Sequence, residues 1–145
     1  MVQIVPLPQE KELATNPDAI ATDGSEVRIL LGLKAGSMAH FRLKGGEISR
    51  AVTHRTVEEI WFFLCGRGEM WRCKDRQGRI REVYRGVCLT IPVGTHFQLR
   101  CTSDAPLEAI GVTMPPWPGD REARLVEGVW QPTVPRQPDG QLKPS

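Results

Sequence analysis

The residues best suited to chemistry in this 145-residue chain are His54, Glu59 and His96. Imidazole nitrogen and carboxylate oxygen are ordinary ligands of zinc and similar divalent ions, at about 2.0–2.2 Å. Their spacing works against them. On one continuous strand five residues span about 16 Å and place His54 and Glu59 on opposite faces. No ion touches both unless the chain turns back between them, and Arg55, Thr56, Val57 and Glu58 are the residues available for such a hairpin. A hairpin displaced by one residue puts Glu58 in the place of Glu59.

His96 leaves the third position open between two arrangements. On a regular strand Phe97, Leu99 and Cys101 form one apolar face while His96, Gln98 and Arg100 form the other, which puts His96 outside. A bulge or shortened turn after Gly94 slips the register by one residue and brings His96 and Gln98 inward. The cost of an unpaired buried acid at Glu59 favours the inward arrangement. The converged set is then two histidines and one carboxylate with open positions, as in non-haem iron and hydrolytic zinc centres, with Gln98 as a weak oxygen ligand or substrate contact. Trp61 and Phe63 share the parity of Glu59 and face the same interior, which Phe97 would also line; such an aromatic wall suits a ligand pocket and suits plain core packing equally. His40 reads as a surface or satisfied core histidine.

The elements that must position these groups read as strands. Nine short runs rich in β-branched, aromatic and aliphatic residues span 26–33, 37–43, 47–54, 59–65, 68–74, 80–84, 87–91, 96–101 and 107–114. Turn residues separate them at short, regular intervals, the pattern of an all-β sandwich or small barrel. Asp75 to Gly78 predicts a hairpin turn in which Gly78 supplies the positive φ. Ile60 to Cys65 is apolar throughout and predicts a strand covered on both faces, by a second subunit in a homodimer or by a terminal arm of the same chain.

Pro115, Pro116, Pro118 and Gly119 end the barrel, because proline cannot extend a central strand. Asp120 is placed to cap a short helical turn over 121–126. The proline-rich stretch 131–145 predicts an extended tail. The organisation expected is an N-terminal arm (1–25), a β-barrel (26–114) and a Pro-rich C-terminal extension (115–145).

Nineteen Lys and Arg balance 17 Asp and Glu, so a net charge of +2 supplies no strong field for nucleic acid or an anionic membrane. The polar residues of positions 1–30 do not fit a standard signal peptide, and no stretch approaches the roughly 20 apolar residues of a membrane helix. A cytoplasmic protein is expected. Cys65, Cys73, Cys88 and Cys101 form no CXXC pair and read as reduced, buried small hydrophobes, with a Cys88–Cys101 disulfide as the alternative.

Two glycine-punctuated blocks carry a resemblance. Gly46, Val52, His54, Glu59 and Gly66 occupy the spacing of GX5HXHX3-4EX6G, and Gly86, Pro92, Gly94, Phe97 and Cys101 that of GX5PXGX2HX3N. These are the two motifs of the cupin superfamily, which the middle third of the chain resembles. Val52, Phe97 and Cys101 stand where the family has two histidines and an asparagine. The resemblance implies a double-stranded β-helix, or jelly roll, in which a turn brings His54 and Glu59 to a shared interior. It implies a pocket for a small-molecule ligand, such as a sugar derivative or acid, and with His96 turned inward by the slipped register the residues offer a divalent metal, Fe, Mn, Ni, Cu or Zn, the set His54, Glu59 and His96. An oxygenase or isomerase is one expectation; a metal-free binding or structural module is the other.

Overall fold

The computed structural model describes residues 6–135, and over them the chain is all β. The strands are β1 (Ala19–Ile20), β2 (Glu26–Gly32), β3 (Ser37–Leu43), β4 (Val52–His54), β5 (Glu58–Cys65), β6 (Arg67–Lys74), β7 (Gln77–Tyr84), β8 (Cys88–Ile91), β9 (His96–Cys101), β10 (Leu107–Met114) and β11 (Ala123–Leu125). Two antiparallel sheets face each other. One has the order β1-β2-β3-β10-β5-β8 and the other β11-β4-β9-β6-β7. This is the jelly roll expected from the motifs. Both segments flanking 26–114 contribute a strand: β1 pairs with β2, and β11 pairs with β4. Among the described residues no helix is long and apolar enough to cross a membrane.

Period-two alternation builds the core. In β5, Glu59, Trp61 and Phe63 are buried while Ile60 and Phe62 stay 42% and 47% exposed. In β9, Phe97, Leu99 and Cys101 are buried in the core cluster, where they meet Leu43, Met70, Val83, Leu89, Ile91 and Leu107. Burial of this apolar area is the main favourable term holding the sheets together.

Several local expectations are corrected. The 75–78 turn is a two-residue connection in which Asp75 (φ 52°) and Arg76 (φ 65°) adopt the left-handed conformation, while Gly78 already lies in β7. Aspartate tolerates that region, and the tight hairpin requires it at both central positions. The helical turn over 121–126 is absent, because Ala123–Leu125 pairs with Val52–His54. The long run 47–54 is broken: Ile48 makes an isolated bridge with Arg100 before β4 begins. The apolar run of β5 is covered on its inner face alone by the described residues. All four cysteines are free, and Cys65 and Cys88 are exposed rather than buried. The expected tail over 131–145 is described only as far as 135.

Candidate functional site

His54 ends β4 in one sheet, and Glu59 lies near the start of β5 in the other. Residues 55–57 are therefore a crossing between sheets rather than a hairpin within one, and the two side chains meet across the barrel interior. Nδ1 of His54 is 2.9 Å from Oε1 of Glu59. That contact lacks hydrogen-bond geometry, so Nδ1 is a buried nitrogen without a hydrogen-bond partner. The other carboxylate oxygen, Oε2, accepts from the Trp61 indole Nε1 two residues along the same strand. Glu58, the alternative acid, is exposed.

The crossing is pinned by a residue from the C-terminal segment. Glu122 is buried and accepts hydrogen bonds from the backbone N–H groups of Arg55 and Thr56 (2.9 and 2.8 Å), as well as from the Thr56 hydroxyl. Burial by itself pushes the Glu122 carboxyl up. The Thr56 side-chain and backbone bonds, the Arg55 bond and the charge of His54 outweigh it and leave the carboxyl below its ordinary value.

Aromatic rings fix the imidazole on two sides. His54 meets Phe97 edge-on at 5.2 Å and Trp117 edge-on at 5.0 Å between ring centroids. Trp61 stacks on Phe41 at 4.5 Å with an interplanar angle of 6°. Gly111 makes room for that stack, since a Cβ there would lie 2.8 Å from Phe41 Cε2 and 3.0 Å from Trp61 Nε1. The rings wall a cavity of about 290 Å³ whose lining includes Val27, Ala39, Phe41, Val52, Trp61, Phe97 and Trp117. Its polar groups include Asp23, His54, Glu59 and Thr113, and no Lys or Arg lines it.

Asp23 is the site residue that sequence reasoning missed. It is buried, and its Oδ1 accepts from the Ser25 backbone N–H (2.9 Å) and hydroxyl (2.6 Å). Burial raises its carboxyl above the ordinary aspartate value; the Ser25 bonds and His54 pull it down, and Glu59 pushes it up. Asp23-Gly24-Ser25 reads locally as a turn, and nothing in it signals a position beside His54 and Glu59. Trp117 was hidden in the same way inside a proline-rich run.

The remaining candidates fall elsewhere. His96 pairs in register with Thr53 and Cys73 and does not line the cavity, so the slipped register of β9 does not occur. The regular alternation keeps Phe97 inside, packed on His54. Gln98 is buried on the opposite face, with its amide fully occupied. Its Nε2 donates to Ser49 O (2.8 Å) and Trp130 O (2.9 Å), and its Oε1 accepts from the N–H groups of Val129 and Trp130 (3.0 Å each). It is a staple for the C-terminal segment rather than a ligand contact. Phe63 is buried in the core and is not part of the cavity wall. His40 faces away from the cavity, and its Nε2 meets Glu108 Oε1 at 2.8 Å.

These residues do not fit the family's metal centre of three histidines and one glutamate. Val52 and Phe97 are buried apolar residues at two of the histidine positions, and among the described residues no group of three His, Cys, Asp or Glu could hold an ion. Trp61 already engages one oxygen of Glu59.

No family model matches the chain, and no curated protein does. Solved structures share its fold. An uncharacterized Klebsiella pneumoniae protein with a double-stranded β-helix domain aligns over 82% of this chain and 91% of its own, with TM-score 0.59 and 13% identity. A Bacillus halodurans protein aligns over 63% and 70% with TM-score 0.58 and 22% identity. Bacillus subtilis oxalate decarboxylase, which has Mn(II) centres, aligns over 75% of this chain and 32% of its own, with TM-score 0.58 and 18% identity. The chain has the cupin fold, and identities this low define the fold alone.

Proposed function

We propose that this chain is a cupin-fold binding protein that encloses a small, largely apolar molecule carrying a neutral or cationic hydrogen-bond donor. The observation that carries this reading is the cavity lining: aromatic and aliphatic walls, with the carboxylates Asp23 and Glu59 and the imidazole of His54 among the polar groups and no Lys or Arg. An anion entering such a space loses its water and meets two acidic side chains and no Lys or Arg, which is expensive in a low-dielectric interior. A donor group meets acceptors there. The volume lies at the small end of ordinary ligand cavities, about 300–1,000 Å³. An apolar ligand is therefore favoured over a sugar or an organic acid.

A second reading keeps a divalent ion on His54 and Glu59, with the bound molecule supplying the missing donors. It rests on Nδ1 and Oε1 approaching to 2.9 Å without a hydrogen bond, a spacing compatible with two donors bound at about 2.0–2.2 Å to one ion. Two measurements separate the readings. Metal content is determined on protein purified without chelator, and benzylamine, benzyl alcohol and benzoate are titrated against tryptophan fluorescence. Saturable amine or alcohol binding to metal-free protein supports the first reading. Near-stoichiometric metal that is lost in His54→Ala supports the second. Benzoate binding most tightly to metal-free protein overturns the first.

The exposed Ile60 and Phe62 support a homodimer that covers the outer face of β5, and a monomeric solution mass removes that part of the reading. Four free cysteines suit a reducing, cytoplasmic compartment.

A further inference from the structure

The β6–β7 hairpin segregates its charges. Register pairs Gly68 with Val83, Met70 with Arg81 and Arg72 with Arg79. Met70 and Val83 are in the core, so strand alternation puts Arg72, Arg79 and Arg81 on the core-facing side, with Arg81 beside Met70 and the Arg72–Arg79 pair one step further along. The hairpin acids, Glu69 and Glu82, pair in register on the opposite side and engage Arg100 and Arg67 there. Arg72 reaches across to β8, where its Nη1 donates to Thr90 O at 2.8 Å. Between the hairpin and the β8 segment lies a cleft lined by Arg72, Arg81, Tyr84, Arg85 and Cys88, with no acidic residue.

Like charges gathered in this way repel, and among the described residues the hydrogen bonds that Arg72 and Arg81 make run to the carbonyls of Thr90 and Glu82 rather than to carboxylates. Among the described residues Arg72, Arg79, Arg81 and Arg85 have no carboxylate partner. Arg72 Nε is buried and makes no hydrogen bond. Burial and the charges of Arg79 and Arg81 pull the Arg72 guanidinium below its ordinary value. Guanidinium groups present planar, multiply donating forks that match phosphate oxygens.

We propose that this cleft is a binding site for the phosphoryl group of a small molecule, held by Arg72, Arg81 and Arg85. It shares no lining residue with the barrel cavity and stands independently of what that cavity binds. The full chain is titrated with inorganic phosphate and with pyrophosphate, against chloride at matched ionic strength, and followed by backbone amide NMR. Saturable shifts confined to residues 72 and 81–89 are expected, with pyrophosphate binding more tightly than phosphate. The Arg81→Gln/Arg85→Gln double variant alters two exposed side chains, so its melting temperature should be unchanged while pyrophosphate affinity falls at least tenfold. Shifts no larger than those with chloride, shifts mapping elsewhere, or unchanged affinity in the variant overturn the proposal. A single-stranded oligonucleotide that displaces pyrophosphate with a steep salt dependence overturns it in favour of nucleic acid.

Discussion

Nδ1 of His54 and Oε1 of Glu59 lie 2.9 Å apart although their strands belong to opposite sheets. Trp61 holds the second oxygen of the same carboxylate, and Phe97 and Trp117 hold the imidazole. Charge at this end of the cavity is thus fixed in place before any ligand enters.

Glu59→Gln keeps the shape of the side chain and an acceptor for the Trp61 indole but removes the charge. Affinity for benzylamine should fall about tenfold or more, which corresponds to about 1.4 kcal/mol, while affinity for benzyl alcohol changes little. Tryptophan fluorescence titration reads both. Equal losses for the two ligands would remove the electrostatic role assigned to Glu59.

Gln98→Leu should destabilise the fold by about 2–4 kcal/mol, because it leaves four buried or partly buried backbone groups, the carbonyls of Ser49 and Trp130 and the N–H groups of Val129 and Trp130, without their partner. Urea unfolding measures the loss. Gly128 lies directly against this amide, since a Cβ there would come within 2.2 Å of Gln98 Oε1. Gly128→Ala should therefore weaken the same segment. A loss below about 0.5 kcal/mol in Gln98→Leu would show that the C-terminal segment is not stapled there.

Gly111→Val drives a branched side chain into the Phe41–Trp61 stack, where even a Cβ approaches to 2.8 Å. Overpacking of this kind costs about 1–3 kcal/mol. The cavity should also lose its capacity for benzyl alcohol. Thermal melting and ligand titration test the two effects, and a variant with unchanged melting and affinity would place the cavity elsewhere.

Asp23 and Glu122 should tilt stability in opposite directions with pH. The folded chain holds the Asp23 proton more tightly than the unfolded chain, whose value is near 3.8; this stabilisation is present at low pH and is lost as pH rises through the folded value. Asp23→Asn, which retains an acceptor for Ser25, should remove that loss and raise stability at neutral pH relative to the parent. Glu122 is held below its ordinary 4.5, so its contribution is present above that pH and is lost as pH falls through the folded value. Glu122→Gln should flatten the acid side of the profile. Urea midpoints between pH 3 and pH 8 measure both slopes, and parallel profiles for parent and variants would contradict the burial and bonding described.

By itself the sequence determined most of the barrel strands between 26 and 114, because side chains alternate with period two along a strand whatever lies around it, while β1 and β11 form only through pairing with β2 and β4. The shared buried parity of Trp61 and Phe63 was legible in this way, whereas for β9 the sequence left two registers open and favoured the slipped one with His96 inside, which the closed sheet does not adopt. The candidacy of His54 and Glu59 was legible too, through the spacing of the glycines around them. Tertiary structure decided which sheet each strand joined, and so set the imidazole and carboxylate across the interior from one another. It also decided what covers an outward face. Alternation puts Gln98 opposite the core, and only the returning segment 126–134 buries it, while Ile60 and Phe62 receive no such cover among the described residues. Asp23 and Trp117 reach His54 from segments far from it in sequence, and contacts of that range follow from how the sheets close, which no local pattern encodes.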